Sequence, residues 1–246
     1  AAGDGDALIL EGGEHNLHLL DDFFFDSEVL LDFAGTVTVT GASSINQSPL
    51  RLYGADDTFA VSVVNEDVLT IRAGVGGAAT LNFSAGLQNQ GDLVLDATTG
   101  DITTIIVVGD LVNSGVLRST GVATPAGRVV DAQLINAGSL DIDVDLTLLN
   151  SGRTFDTSSG EIDVASAATL TITGGTTRLG SDTLIFGVPG NTDVIALDGV
   201  HTLELVSTYF HDTDADLELS GTVTVSGADW VNISPLTIAD ADDTFN

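Results

Sequence analysis

The sequence predicts an all-β protein wound as a right-handed parallel β-helix, a solenoid of roughly 10 coils. Three observations predict it. Short runs of β-branched and other apolar residues alternate with Gly and Asn, and no stretch carries a long helical period. Four segments share a Leu-x-Asn-x-Gly frame, and the first three, at Asn89, Asn113 and Asn136, are spaced by about one turn of three short strands and three corners. An internal repeat then pairs 19–59 with 205–245.

Along the chain, the strand signals fall at Thr36 to Thr40, Val68 to Arg72, Leu93 to Asp96, Thr104 to Val108, Thr169 to Thr173 and Leu203 to Val206. In a parallel solenoid each coil buries its inward Val, Ile and Leu against the coils above and below. An aromatic content of 5% suits so thin a core better than a sandwich, which leans on one or two large buried rings. The corners are expected at Asn89 and Gly91, Asn113 and Gly115, Asn136 and Gly138, and Asn150 and Gly152. Asn tolerates the left-handed backbone of a tight corner, Gly takes positive φ without penalty, and stacked Asn side chains can hydrogen-bond in a ladder. Asn150 follows Asn136 too soon for a full coil, so it marks either a shortened coil or a different corner.

The repeat runs from 19–59 to 205–245 without a gap, 20 identities in 41 positions. Gly35-Thr-Val-Thr-Val-Thr-Gly41 meets Gly221-Thr-Val-Thr-Val-Ser-Gly227, Ser48-Pro49-Leu50 meets Ser234-Pro235-Leu236, and Ala55-Asp-Asp-Thr-Phe59 meets Ala241-Asp-Asp-Thr-Phe245. The organisation expected is one full unit over 1–186, register arbitrary, and the start of the next over 187–246, in one continuous solenoid cut from a tandem array. At roughly 23 residues per coil a unit holds about eight coils and advances on the order of 38 Å. The competing fold divides each unit into two sandwich domains of about 93 residues, but its halves show no mutual similarity.

Charge narrows the function classes. The chain carries 36 Asp and Glu against six basic residues, all Arg, for a formal charge of −30. Nucleic acid and anionic membrane surfaces are disfavoured as partners. No apolar stretch approaches the length of a membrane-spanning helix. Cys is absent, which removes disulfides, thiol nucleophiles and thiolate metal sites. Many carboxylates and no Cys fit an extracellular or cell-surface bacterial protein, or one from salty water, where carboxylates keep the surface hydrated.

Gly109-Asp-Leu-Val-Asn-Ser-Gly-Val-Leu117 and Gln133-Leu-Ile-Asn-Ala-Gly-Ser-Leu-Asp-Ile142 resemble the coils of bacterial surface proteins with filamentous-haemagglutinin-like or autotransporter-passenger-like β-helices. The resemblance covers about residues 80 to 185. It implies a right-handed β-helix at the cell surface acting as a stalk, fibre or adhesin shaft, with neighbouring units or filaments of the same protein as partners. The alternative function is a ligand-binding adhesin module that engages a surface glycan or host surface along one face, and the acidic surface allows cations as further partners.

Each candidate site has a plainer reading beside it. Asp212-Thr-Asp214-Ala-Asp216-Leu-Glu218 and Asp141-Ile-Asp143-Val-Asp145 place carboxylates at alternate positions, on one face of a strand, where a hard ion such as Ca²⁺ would relieve their repulsion. The plainer reading is a solvated acidic face, and the EF-hand Gly and Glu are missing. Asp56 and Asp57 recur in register as Asp242 and Asp243, the next place to seek an ion. No other cofactor is expected. No catalytic residue is assigned: there is no Lys, no Gly-x-Ser-x-Gly elbow and no His-Glu-x-x-His, so an enzyme, of the carbohydrate-cleaving kind some β-helices are, ranks below a structural role. His15 and His201, a repeated pair, could share a metal only if two units' corners met.

Overall fold

The computed structural model describes residues 7–21, 23–25, 29–54, 56–74, 77–98, 100–123, 127–189, 192–211, 214–239 and 242–246. Among these there is no helix, and every pairing between named strands is parallel. The chain winds as a β-solenoid with three ladders.

The first ladder stacks 7–11, 30–34, Leu50–Tyr53, Val68–Ala73, Asp92–Ala97, Val116–Gly121, Ser139–Ile142, Glu161–Val164 and Leu184–Phe186. The second stacks 14–19, 36–41, Asp56–Phe59, Ala79–Phe83, 103–107, 128–131, Leu146–Leu149, 169–173, 194–198, Asp216–Leu219 and Leu236–Ile238. The third stacks Phe23–Phe25, Ser44–Asn46, Val63–Asn65, Leu87–Asn89, 110–113, 133–136, Thr154–Asp156, 175–179, 200–205, Thr222–Gly227 and Thr244–Phe245. About nine turns therefore carry all three ladders. In the two turns that follow, a separate pair, Tyr209–His211 with Trp230–Asn232, occupies the first ladder's place in chain order.

Strand alternation sends every second side chain inward. Leu8, Leu31, Leu50, Leu69, Leu93, Leu117, Leu140, Ile162 and Ile185 stand in register up the first ladder, and the six from Leu50 to Ile162 are at most 2% exposed. Each such side chain contributes about 1.5–3 kcal/mol by leaving water. The neighbouring column holds Phe33, Leu52, Ile71 and Leu95, then Ser119, whose buried hydroxyl donates to the Val144 carbonyl at 2.6 Å. The few rings serve the same stacking: Phe59 lies under Phe83 in the second ladder, centroids 5.4 Å apart.

Turn length varies because corners absorb residues that ladders cannot. Leu31, Leu50 and Leu69 succeed one another at steps of 19, and Leu69, Leu93 and Leu117 at steps of 24, with no break in the stack.

Candidate functional site

The most ordered polar feature lies inside the rod, where the third ladder turns into the first. Asn46, Asn65, Asn89, Asn113 and Asn136 form one column, each at most 1% exposed. Each Nδ2 donates to the Oδ1 of the next Asn, at 2.7 Å in all four steps. Asn136 ends the run by donating to Thr157 Oγ1 at 3.2 Å. From Asn65 onward Nδ2 also donates to a first-ladder carbonyl one turn on, at Asp92, Val116, Ser139 and Glu161, over 2.9–3.1 Å. Buried amides are thus paired along the axis, and each pairing joins adjacent turns.

The ladder expected from Asn89, Asn113 and Asn136 is present, for a different backbone reason. These Asn residues end extended strands, and the one non-Gly residue with positive φ among the described residues is Ala167. Gly91, Gly115 and Gly138 are not at positive φ either. They are glycine because the stack leaves no room: a Cβ on Gly115 would stand 2.1 Å from the Gly91 carbonyl oxygen, and one on Gly138 2.1 Å from that of Gly115. Asn150 occupies a different corner, between the second and third ladders, where its buried Nδ2 donates to the Gly174 and Thr176 carbonyls. There Gly152 does have positive φ, +72°, in open space.

The carboxylate sites separate on inspection. Asp56 and Asp57 are consecutive in a strand, so Asp56 points to solvent and Asp57 into the core, and the pair cannot chelate one ion. Asp57 Oδ1 instead accepts from the Val37 N–H at 2.7 Å. Burial pushes this carboxyl up to about 6, against the Val37 hydrogen bond and with help from the neighbouring Asp56 charge. Asp243 repeats the contact, accepting from the Val223 N–H at 2.8 Å, while Asp242 is exposed. Asp212 lies outside the described residues. Asp216 and Glu218 share the outward face of their strand, with Asp214 exposed before it, and Asp216 accepts from the Thr237 hydroxyl. In the other row Asp141 takes Arg118 and Ser139, and Asp145 accepts from the Thr169 N–H. Among the described residues no three carboxylates or imidazoles gather as an ion would need. His15 is half-buried on the second ladder and His201 is buried on the third, so the repeated pair shares nothing.

The arginines carry a pattern that composition alone does not resolve. Five of the six bridge adjacent turns: Arg51 to Asp32, Arg72 to Asp96, Arg118 to Asp141, Arg153 to Asp131, and Arg178 to both Asp156 and Glu204. Each such surface pair is worth about 0–1 kcal/mol. Arg178 sits in a shallow trough on the third ladder's outer face with Gln133, Ile135, Thr154, Asp156, Thr176 and Glu204. Desolvation raises the Asp156 carboxyl, but hydrogen bonds from Ser158 and the Arg178 charge outweigh it and hold Asp156 below its ordinary value. Arg128 is the exception: it is fully buried, donates Nη2 to the Thr120 and Val122 carbonyls, and has no partner for Nε or Nη1.

Comparison with known proteins returns no matching family model, no matching curated protein and no matching solved structure.

Proposed function

We propose that this chain is the shaft of an extracellular structural protein, a rod, stalk or filament at the bacterial cell surface, built from tandem copies of its own repeat. The observation that carries this reading is the uninterrupted axial stack: hydrophobic columns, the Asn ladder and the Arg bridges all run from turn to turn. In such a stack stability is a sum over neighbouring turns, so the rod can be extended by adding units. The −30 charge favours hydration of its surface and repulsion between unrelated contacts. Its partners in this reading are further copies of the repeat.

A second reading, a binding module for a surface glycan, has one favourable feature, the polar trough around Arg178 and Gln133. Electron microscopy of the native material separates the two. Unbranched rods of uniform width that bind no glycan support the shaft. Particles without rods that bind a glycan, with loss of binding in Arg178→Ala, support the module and contradict the shaft.

A further inference from the structure

The sequence repeat does not return to the same side of the rod. Residues 36–41 lie on the second ladder, and their counterparts Thr222–Gly227 lie on the third. Leu31 and Phe33 lie on the first, and their counterparts Leu217 and Leu219 on the second. Ser44–Asn46 lie on the third, and Trp230–Asn232 stand in the first ladder's place.

Local structure is nevertheless kept. Ala42 N donates to Leu19 O at 3.0 Å and Ala228 N to Leu205 O at 2.8 Å. Leu31 N donates to Pro49 O at 3.0 Å and Leu217 N to Pro235 O at 3.2 Å. Gly41 has φ +106° and Gly227 +107°. The two copies fold alike and differ in their position around the axis.

The cause is arithmetic. From 14–19, in the first turn, to 200–205, in the ninth, the chain passes through twenty-five strand positions, three to a turn, or eight and a third turns. The average coil length read from sequence gives only the nearest whole number, eight. At about 4.8 Å per turn, one unit advances by about 40 Å while rotating by a third of a revolution.

We propose that tandem units of this chain are related by a threefold screw, so that each surface written into the repeat is presented on all three sides of the rod in succession. The proposal rests on the tandem-rod reading above. One such surface is a strip of hydroxyls: Thr36, Thr38 and Thr40 with Thr58 stacked on Thr38, which becomes Thr222, Thr224 and Ser226 with Thr244 stacked on Thr224. Any one side of the rod meets a given strip again after about 120 Å, three units on. Lateral contacts through a repeat-encoded surface point in three directions, which favours a three-dimensional bundle over a flat ribbon, and the rod has no single soft side along which to bend.

Cryo-electron microscopy of the native tandem protein tests this. The expected symmetry is a rise of about 40 Å with a rotation of about one third of a turn per unit. The same rise with no rotation overturns the screw and leaves the rod standing; beads on a string overturn the rod and the screw together. Within the present chain, which has no Cys to interfere, spin labels give a second readout. The pair Thr224→Cys and Thr154→Cys, both on the third ladder, is expected to be closer than Thr224→Cys and Thr147→Cys, since Thr147 is on the second ladder of the same turn as Thr154. The reverse order contradicts the shift between ladders.

Discussion

Asp57 and Asp243, counterparts in the two copies of the repeat, make the same contact: each carboxylate accepts the N–H of a valine one turn earlier, Val37 at 2.7 Å and Val223 at 2.8 Å. The sequence repeat is therefore a repeat of hydrogen bonding. Of each acidic pair, the second member is the clasp, buried at Asp57 and half-buried at Asp243, and the first is solvated surface.

Asp57 gives a pH signature. Its folded value of about 6 lies above the ordinary 3.8, so its contribution to stability is full below pH 3.8 and is lost as pH rises through 6. The loss amounts to about 3 kcal/mol. Asp57→Asn keeps an acceptor for Val37 without the charge, so it should be more stable than the parent at pH 7 and equal to it below pH 4 in urea denaturation. A less stable variant at pH 7 contradicts the assignment.

His201 acts in the opposite sense. It is buried, its Nε2 pairs with Thr177 Oγ1 at 2.9 Å, and burial pushes it down to about 4 from 6.5. Its contribution is full above pH 6.5 and is lost as pH falls through 4, again by about 3 kcal/mol. Between pH 4 and 6 the two groups offset each other. Asp57→Asn should expose falling stability on acidification and His201→Gln the reverse; parallel slopes in both variants would refute the pairing of roles.

The Asn ladder predicts a position effect. Asn113→Leu removes the acceptor of the Asn89 amide and the donor to the Asn136 carbonyl inside the core, and should cost about 3–5 kcal/mol. Asn46→Leu, at the end of the ladder, breaks one amide bond and should cost about 1–3 kcal/mol. Thermal melts that rank the two equally would show that the amides do not act as a chain.

Two glycines separate close packing from backbone freedom. Gly115→Ala places a Cβ against the Gly91 backbone and should distort the stack, costing roughly 3 kcal/mol or more. Gly152→Ala meets open space and carries only the positive-φ penalty, about 1–2 kcal/mol. Comparable losses of melting temperature would contradict the two explanations.

What the sequence reveals is what is local. Short strands, the Leu-x-Asn-x-Gly frame at Asn89, Asn113 and Asn136, and the gapless repeat are local patterns, and they lead to the parallel solenoid. Asn46 and Asn65 belong to the same ladder but have Ser48 and Asp67 in the glycine's place, and so fall outside the frame. Asn150 has the complete frame at another corner, since a pentapeptide does not record which corner it turns. Asp57 and Arg128 are legible by parity: each stands two residues before an inward residue, Phe59 and Val130, and strand alternation places both inside. The one-third rotation is not legible, because unequal turns hide the strand count from any average spacing.

Residues far apart in sequence lie one above another at a constant step along the rod. Ile9, Thr70 and Val94 stand seven, four and three turns below Asp163 in one outward column of the first ladder. With spin labels on cysteine at Asp163 and each of the others in turn, pulsed electron paramagnetic resonance should give separations of about 34, 19 and 14 Å, rising by about 4.8 Å per turn. Distances that do not follow the number of turns would contradict the stacked rod and everything built on it.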